Sequence, residues 1–278
     1  MPYECPVKHC WDFLPDHNVF ELHRGGERSF ELYEKGIQLI AEIPDDIVLT
    51  DKQALQRECA RTGKTFVNKD AIKDFLDSLK EPLYYLDFET INPVIPIYDG
   101  MHPYQRIAFQ YSLHVVENGR VTHHSFLADG PDDPRLKFLS SLKDVLGDSG
   151  SVVVYSQAFE KGVLYELADS FPGYKDWVDS VSDRIVDLLV PFRNFHYYNP
   201  VQKGSASLKY VLPALTGKDY SGLGINNGGD ASIAFIKANY QSISEDRKQK
   251  IRKDLEEYCC LDTEGMIWIV NRLKELVS

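Results

Sequence analysis

Leu83-Tyr84-Tyr85-Leu86-Asp87-Phe88-Glu89-Thr90 is an apolar, aromatic run that ends in Asp-x-Glu. Such a run reads as a buried strand. Side chains two apart on a strand share a face, so Asp87 and Glu89 project together. Two adjacent carboxylates at the end of a buried strand are costly unless a cation neutralises them. A hard divalent ion with oxygen ligands, Mg²⁺ or Mn²⁺, is the natural partner. Asp-x-Glu alone recurs by chance in acidic chains and can equally mark a solvated strand end, so the rest of the chain decides its meaning.

The pattern around this run is that of an α/β domain. Residues 107–116 alternate apolar and polar, Asn118-Gly119 is the signal of a tight hairpin, and residues 121–127 return. Together with 83–88 they make a three-strand, largely antiparallel unit. Helices are expected over 135–146, 159–170, 207–215, 231–240 and 245–276, with a short buried strand at 152–155. Three strands, then alternating helix and strand, then helices imply a mixed sheet flanked by helices over residues 81–278. Residues 23–80 read as a connector of short helices, with helical pieces at 36–40 and 52–61, and residues 1–22 as a cysteine-containing tail. The domain would thus carry a small N-terminal helical appendage.

Further acids fall where a metal site needs them. Val152-Val153-Val154-Tyr155 runs into a helix whose first turn holds Glu160, a position that the helix dipole alone also favours. Tyr258 and Asp262 are four apart on the last helix and share a face, with Asp254 a turn earlier. Asp187 sits in the apolar run Ile185-Val186-Asp187-Leu188 and reads as a supporting or structural carboxylate. Asp87, Glu89, Glu160 and Asp262 are enough to hold two divalent ions. Two such ions about 3.5–4 Å apart can clamp the attacking and leaving oxygens of a phosphodiester. A phenol beside them, Tyr258, can orient the attacking water.

The order Asp-x-Glu, then an acid after Val154-Tyr155-Ser156-Gln157-Ala158-Phe159, then Tyr-x-x-x-Asp resembles the tyrosine-type DEDD 3′–5′ exonucleases of the DnaQ-like superfamily. The stretches 86–90, 109–114, 204–213 and 258–263 resemble more closely an uncharacterised bacterial family of such domains. The resemblance covers about residues 81–275. It implies an RNase H-like fold, two Mg²⁺ or Mn²⁺ ions, and hydrolysis at the 3′ end of DNA or RNA. The catalytic set it implies is Asp87, Glu89, Glu160, Tyr258 and Asp262. The chain departs from the exonucleases at one position: they place Asp where this chain has Glu160, and the extra methylene moves the carboxylate outward.

That uncharacterised family often joins the domain to an upstream RecB-type nuclease module that closes on cysteines holding an iron–sulfur cluster. Cys5 and Cys10 resemble its last two ligands. A cluster wants four thiolates, so the resemblance implies a cluster only in a longer chain. Zinc on Cys5, Cys10, His17 and His23 is chemically sound, and plain unliganded cysteines are the third reading.

The 278 residues, 43% hydrophobic and 26% charged, support a sizeable core. A net charge of −11 argues against gripping long duplex nucleic acid by electrostatics. It does not exclude a nuclease, because bound ions invert the local field. No apolar run approaches the ~20 residues of a membrane helix, no secretory signal is visible, and five cysteines do not read as a disulfide framework. No membrane partner and a cytoplasmic location are expected. Gln110, His114, Lys203, Ser207 and Lys209 are candidate contacts to a nucleotide strand, and Tyr104, Tyr197 and Tyr198 could stack on bases. The rival to a metal-dependent exonuclease is a non-catalytic RNase H-like module that binds nucleic acid or a protein.

Overall fold

The computed structural model describes residues 10–278. Its elements, in chain order, are α1 (Glu27–Glu34), α2 (Asp51–Thr62), β1 (Phe66–Val67), α3 (Lys69–Asp77), β2 (Leu83–Ile91), β3 (Ile107–Glu117) and β4 (Arg120–Leu127). There follow α4 (Arg135–Val145), β5 (Ser151–Val154), α5 (Gln157–Ser170), α6 (Lys175–Asp183), β6 (Ile185–Asp187), α7 (Val190–Arg193), β7 (Tyr197–Tyr198), α8 (Leu208–Thr216), α9 (Gly228–Tyr240) and α10 (Glu245–Val277). Among the described residues no helix is long and apolar enough to cross a membrane.

The residues fall into two compact units. One holds Leu76–Leu188 and Asp219–Asn271. It is an α/β unit built on a mixed five-stranded sheet in the order β4-β3-β2-β5-β6. β2, β3 and β4 are antiparallel, and β5 and β6 run parallel to β2. The β3–β4 turn takes Asn118 at φ 50° and Gly119 at φ 76°, as an Asn-Gly hairpin requires. One face of β2 presents Tyr84, Leu86 and Phe88. It packs with Leu113 and Tyr111 of β3, Phe138, Leu139 and Leu142 of α4, Val163, Leu164 and Leu167 of α5, and Val178 and Val181 of α6. This face is the hydrophobic core. By alternation the other face carries Tyr85, Asp87 and Glu89, opposite His114, Ser112 and Gln110 of β3. Polar side chains on a face that is nevertheless buried mark this side of the sheet as the informative one.

The second unit comprises described residues through Phe75, with Leu189–Lys218 and Arg272–Ser278. Its core is Val19, Phe20, Leu22, Leu32, Ile40 and Ile43. Thr50 caps α2 in a reciprocal box with Gln53, and Gly63 at φ 66° ends the helix. The buried amides of α2 tie it to the preceding segment: Gln56 accepts from the His23 amide at 2.7 Å and donates to the Glu21 carbonyl at 2.8 Å. β1 pairs with β7, Phe66 opposite Tyr198.

The two units divide the chain differently from the expected boundaries. A tail ending at residue 22 does not exist as a separate segment among the described residues, because Val19, Phe20 and Leu22 are core. The expected connector at 23–80 belongs, as far as Phe75, to a unit that also includes Leu189–Lys218, where Cys59 packs with Phe195 and Tyr198. The helical piece expected at 36–40 is instead a turn and a single bridge, Asn18 to Leu39, and the helix lies upstream as α1. Gly36 at φ 81° cannot continue that helix.

Candidate functional site

The C-terminal end of β2, on the polar sheet face, gathers Asp87, Glu89 and Asp262. One carboxylate oxygen from each lies within 4.8 Å of the other two. β2 supplies the first pair, two residues apart on one face. A register shift between Glu89 and Thr90 marks a bulge against β3 at this point, a common device beside functional sites. α10 supplies Asp262. The Gln110 amide donates to the Leu255 carbonyl at 2.9 Å, and the Cys259 thiol sits 3.7 Å from Asp87 Oδ2, so this helix is held to the sheet on both sides of Tyr258.

Glu160 lies outside that close triad. α5 begins at Gln157, two residues before the expected start, and puts Glu160 in its first turn, 1% exposed. Its Oε2 is buried with no hydrogen-bond partner among the described residues. Asp187, at the end of β6, accepts from the Ser156 amide at 2.9 Å and so braces the turn between β5 and α5. Ser156 adopts φ 95°, a conformation uncommon outside glycine.

The electrostatics follow from burial and like charge. Burial first, then Asp262, Glu160 and Glu89, hold the Asp87 carboxyl well above the usual carboxylate range. Glu160 is pushed up by burial, then by Asp187 and Glu89. A cation that acts on Glu160, Arg106, is already engaged by Glu166, with Nη2 to Oε1 at 2.6 Å. A group of acids that burial and mutual repulsion disfavour, with an orphaned carboxylate oxygen beside it, fits a divalent cation of the Mg²⁺ or Mn²⁺ type.

Two phenols complete the site. Tyr258 is buried, and burial followed by Asp262, Glu89 and Asp87 raises its pKa. Tyr220 was not singled out by sequence, yet its hydroxyl donates to Asp262 Oδ1 at 2.5 Å and its ring lies 6.0 Å from that of Tyr258. It sits in a polar loop with no periodic neighbours, so no local pattern could have marked it. At the start of α9, a Cβ placed on Gly228 would come 3.5 Å from Glu89 Oε2. The N-terminus of that helix therefore lies beside the acids.

The other expected residues are dispersed. Gln110 is buried and tied to Leu255, and His114 is buried with Nδ1 2.8 Å from Thr263 Oγ1. Tyr197 and Tyr198 are only 3% and 2% exposed, so neither offers a face to a base; Tyr104 is exposed. Lys203, Ser207 and Lys209 belong to the other unit, where Lys203 pairs with Asp16 and Glu21 at 3.0 and 3.3 Å. Cys5 lies outside the described residues. Cys10 is exposed, and with His17 and His23 it forms no ligand group among the described residues. His23 instead packs edge-on against Phe195.

The model of a family described as "Domain of unknown function (DUF2779)" matches residues 84–207. That stretch holds Asp87, Glu89, Glu160 and Asp187, and stops short of Tyr220, Tyr258 and Asp262. The chain is 24% identical over 249 residues to an uncharacterized protein of Mycoplasma genitalium, covering 82% of this chain and 37% of that one. It is 26% identical over 226 residues to the homolog in Mycoplasma pneumoniae, covering 74% and 34%. An uncharacterized protein of Ureaplasma parvum is 24% identical over 231 residues, covering 75% and 33%. The chain thus spans about a third of the length of the curated relatives it matches. No solved structure matches it.

Proposed function

We propose that this chain is a metal-dependent nuclease that removes nucleotides from the 3′ end of DNA or RNA. One observation carries the reading: three carboxylates from β2 and α10 converge within 4.8 Å, next to a buried glutamate with an unsatisfied oxygen. The strand order, three antiparallel strands followed by two parallel to the first, supports the RNase H-like arrangement that the sequence resemblance implies. Asp87, Glu89 and Asp262 would hold Mg²⁺ or Mn²⁺, with Glu160 reaching a second ion. Such ions supply charge neutralisation at the phosphate and an activated water.

The chain's own groups have defined tasks in this reading. Tyr220 fixes the orientation of Asp262 by donating to one of its oxygens. Tyr258, kept protonated by its surroundings, is a hydrogen-bond donor for the attacking water. The N-terminus of α9 beside Glu89 favours a phosphate there. Lys237, Arg247 and Lys250, interspersed with Asp230 and Asp254, line a cavity of about 390 Å³ and give an acidic chain local cations for a nucleic-acid backbone. The rival reading, a non-catalytic binding module, draws on Glu160, which stands outside the triad.

The test is incubation with 5′-labelled DNA and RNA oligonucleotides and either Mg²⁺ or Mn²⁺. The expected result is a ladder shortened from the 3′ end, absent with chelator and absent in Asp87→Ala. Intact oligonucleotides under every condition would favour the binding module. Equal cleavage by Asp87→Ala would mark the activity as foreign.

A further inference from the structure

Beside the carboxylates, the same sheet face carries a second ligand group of a different chemical character. His114 of β3 and His123 of β4 are directly opposite in the antiparallel register. Their rings stack at 4.3 Å between centroids. Cys260 of α10 lies against them, and one nitrogen of each ring and the Cys260 Sγ fall within 4.8 Å of one another. Around a tetrahedral ion, with metal–nitrogen near 2.0–2.1 Å and metal–sulfur near 2.3 Å, donors stand about 3.4–3.6 Å apart. Closing the group takes a shift of roughly 1 Å, in which the exposed His123 moves while keeping its contact with Ser112.

A chain of hydroxyls orients both rings. The Thr263 hydroxyl donates to the Cys260 carbonyl at 3.0 Å, since a carbonyl can only accept. Its oxygen also lies 2.7 Å from the Ser112 hydroxyl and 2.8 Å from Nδ1 of His114. The Ser112 hydroxyl in turn lies 2.9 Å from Nε2 of His123. Each histidine therefore has one ring nitrogen tied to a hydroxyl, Nδ1 in His114 and Nε2 in His123, which fixes the ring and leaves the other nitrogen for an ion. Metal-binding histidines are held in this way, the ring nitrogen away from the metal donating to a fixed acceptor.

The group also has an entrance. A cavity of about 530 Å³ is lined by His123 and Cys260, with Glu256, Glu257 and Glu264 on its wall. It gives an ion a path from solvent and leaves room for water or a carboxylate as fourth ligand.

We propose that His114, His123 and Cys260 form a site for a zinc-class divalent ion, with its fourth position open to this cavity. The donor set decides the class. Two imidazoles and a thiolate select a borderline-soft ion, whereas the all-oxygen group at Asp87 selects a hard one. Cys260 loses its thiol proton to solvent as the ion binds. A bound ion would pin the β3–β4 hairpin to α10 two residues from both Tyr258 and Asp262.

Titration of the purified full chain with Co²⁺, followed by displacement with Zn²⁺, tests this. The expected result is one equivalent of Co²⁺ giving tetrahedral d–d bands and a thiolate charge-transfer band, both erased by zinc. The bands should vanish in Cys260→Ser and in His123→Ala, a surface change that leaves the core intact. They should persist in Cys10→Ser and in Asp87→Asn. Thr263→Val, which removes only the orienting hydroxyl, should weaken binding by about 10–100-fold while the thiolate band remains. No thiolate band in the wild type, or one that survives Cys260→Ser, would overturn the site. Loss in Cys10→Ser or Asp87→Asn would likewise overturn it, by moving the ion elsewhere.

Discussion

Asp87 is the residue on which the site turns, because burial and three neighbouring carboxylates all oppose its ionisation. Its folded pKa lies above its unfolded value. The stability it costs is therefore absent below the ordinary carboxylate range and grows as pH rises through the folded pKa. Asp87→Asn should raise the melting temperature of the metal-free protein at about pH 7–8 by roughly 4–8 °C, equivalent to about 2 kcal/mol. The gain should shrink toward pH ~4. His114, lowered to about 4 from 6.5, costs stability as pH falls between those values, but it is common to both proteins and cancels in the difference. Thermal melts of the two proteins across this range check the prediction; a variant no more stable at neutral pH would show that the acids do not repel. The phenols separate by role. Tyr220→Phe removes the donor to Asp262 and should weaken Mn²⁺ binding about tenfold. Tyr258→Phe should leave Mn²⁺ affinity in place and slow cleavage by roughly 10–100-fold. Titration calorimetry alongside the nuclease assay distinguishes the two.

At the scale of elements, the site depends on where strands begin and how they turn. Gly150, at φ 83°, precedes β5 so closely against β2 that an added Cβ would fall 2.0 Å from the Pro82 carbonyl oxygen. Gly150→Ala should destabilise the fold by about 2–5 kcal/mol, through forced left-handed backbone and overpacking together; denaturant titration measures it. Much of this level was legible in the chain. The β2–β4 meander, α4, β5 and the span of α10 follow from period and turn residues, and the Asp-x-Glu and Tyr-x-x-x-Asp spacings placed their side chains on single faces. What was not legible has physical reasons. α6 and β6 are short and carry Ser and Asp within their apolar pattern, so Asp187 could be marked as an acid but not placed on a strand. Tyr220 reaches Asp262 from an irregular loop, and His123 and Cys260 meet only through sheet register and helix docking, which no local spacing encodes. Tyr197 and Tyr198 could pass for base-stacking aromatics because part of their burial comes from β1 and Cys59, far upstream in the chain.

At the scale of the molecule, an α/β unit concentrates hard oxygen donors and a separate nitrogen–sulfur group on one buried sheet face, beneath one long helix. The opposite face holds the core, so the polar face is free to serve a site at a cost in stability that cations would remove. The second unit has its own core and contributes none of these ligands. On the function proposed above, the acids of β2 and α10 bind a hard divalent ion. Electron paramagnetic resonance of free Mn²⁺ during titration into the full chain tests it most directly. Saturable uptake of at least one equivalent per chain is expected, abolished in Asp87→Asn and unchanged in Cys260→Ser. A wild-type protein that takes up no Mn²⁺ at millimolar concentration, or one whose uptake is the same in Asp87→Asn, would contradict it.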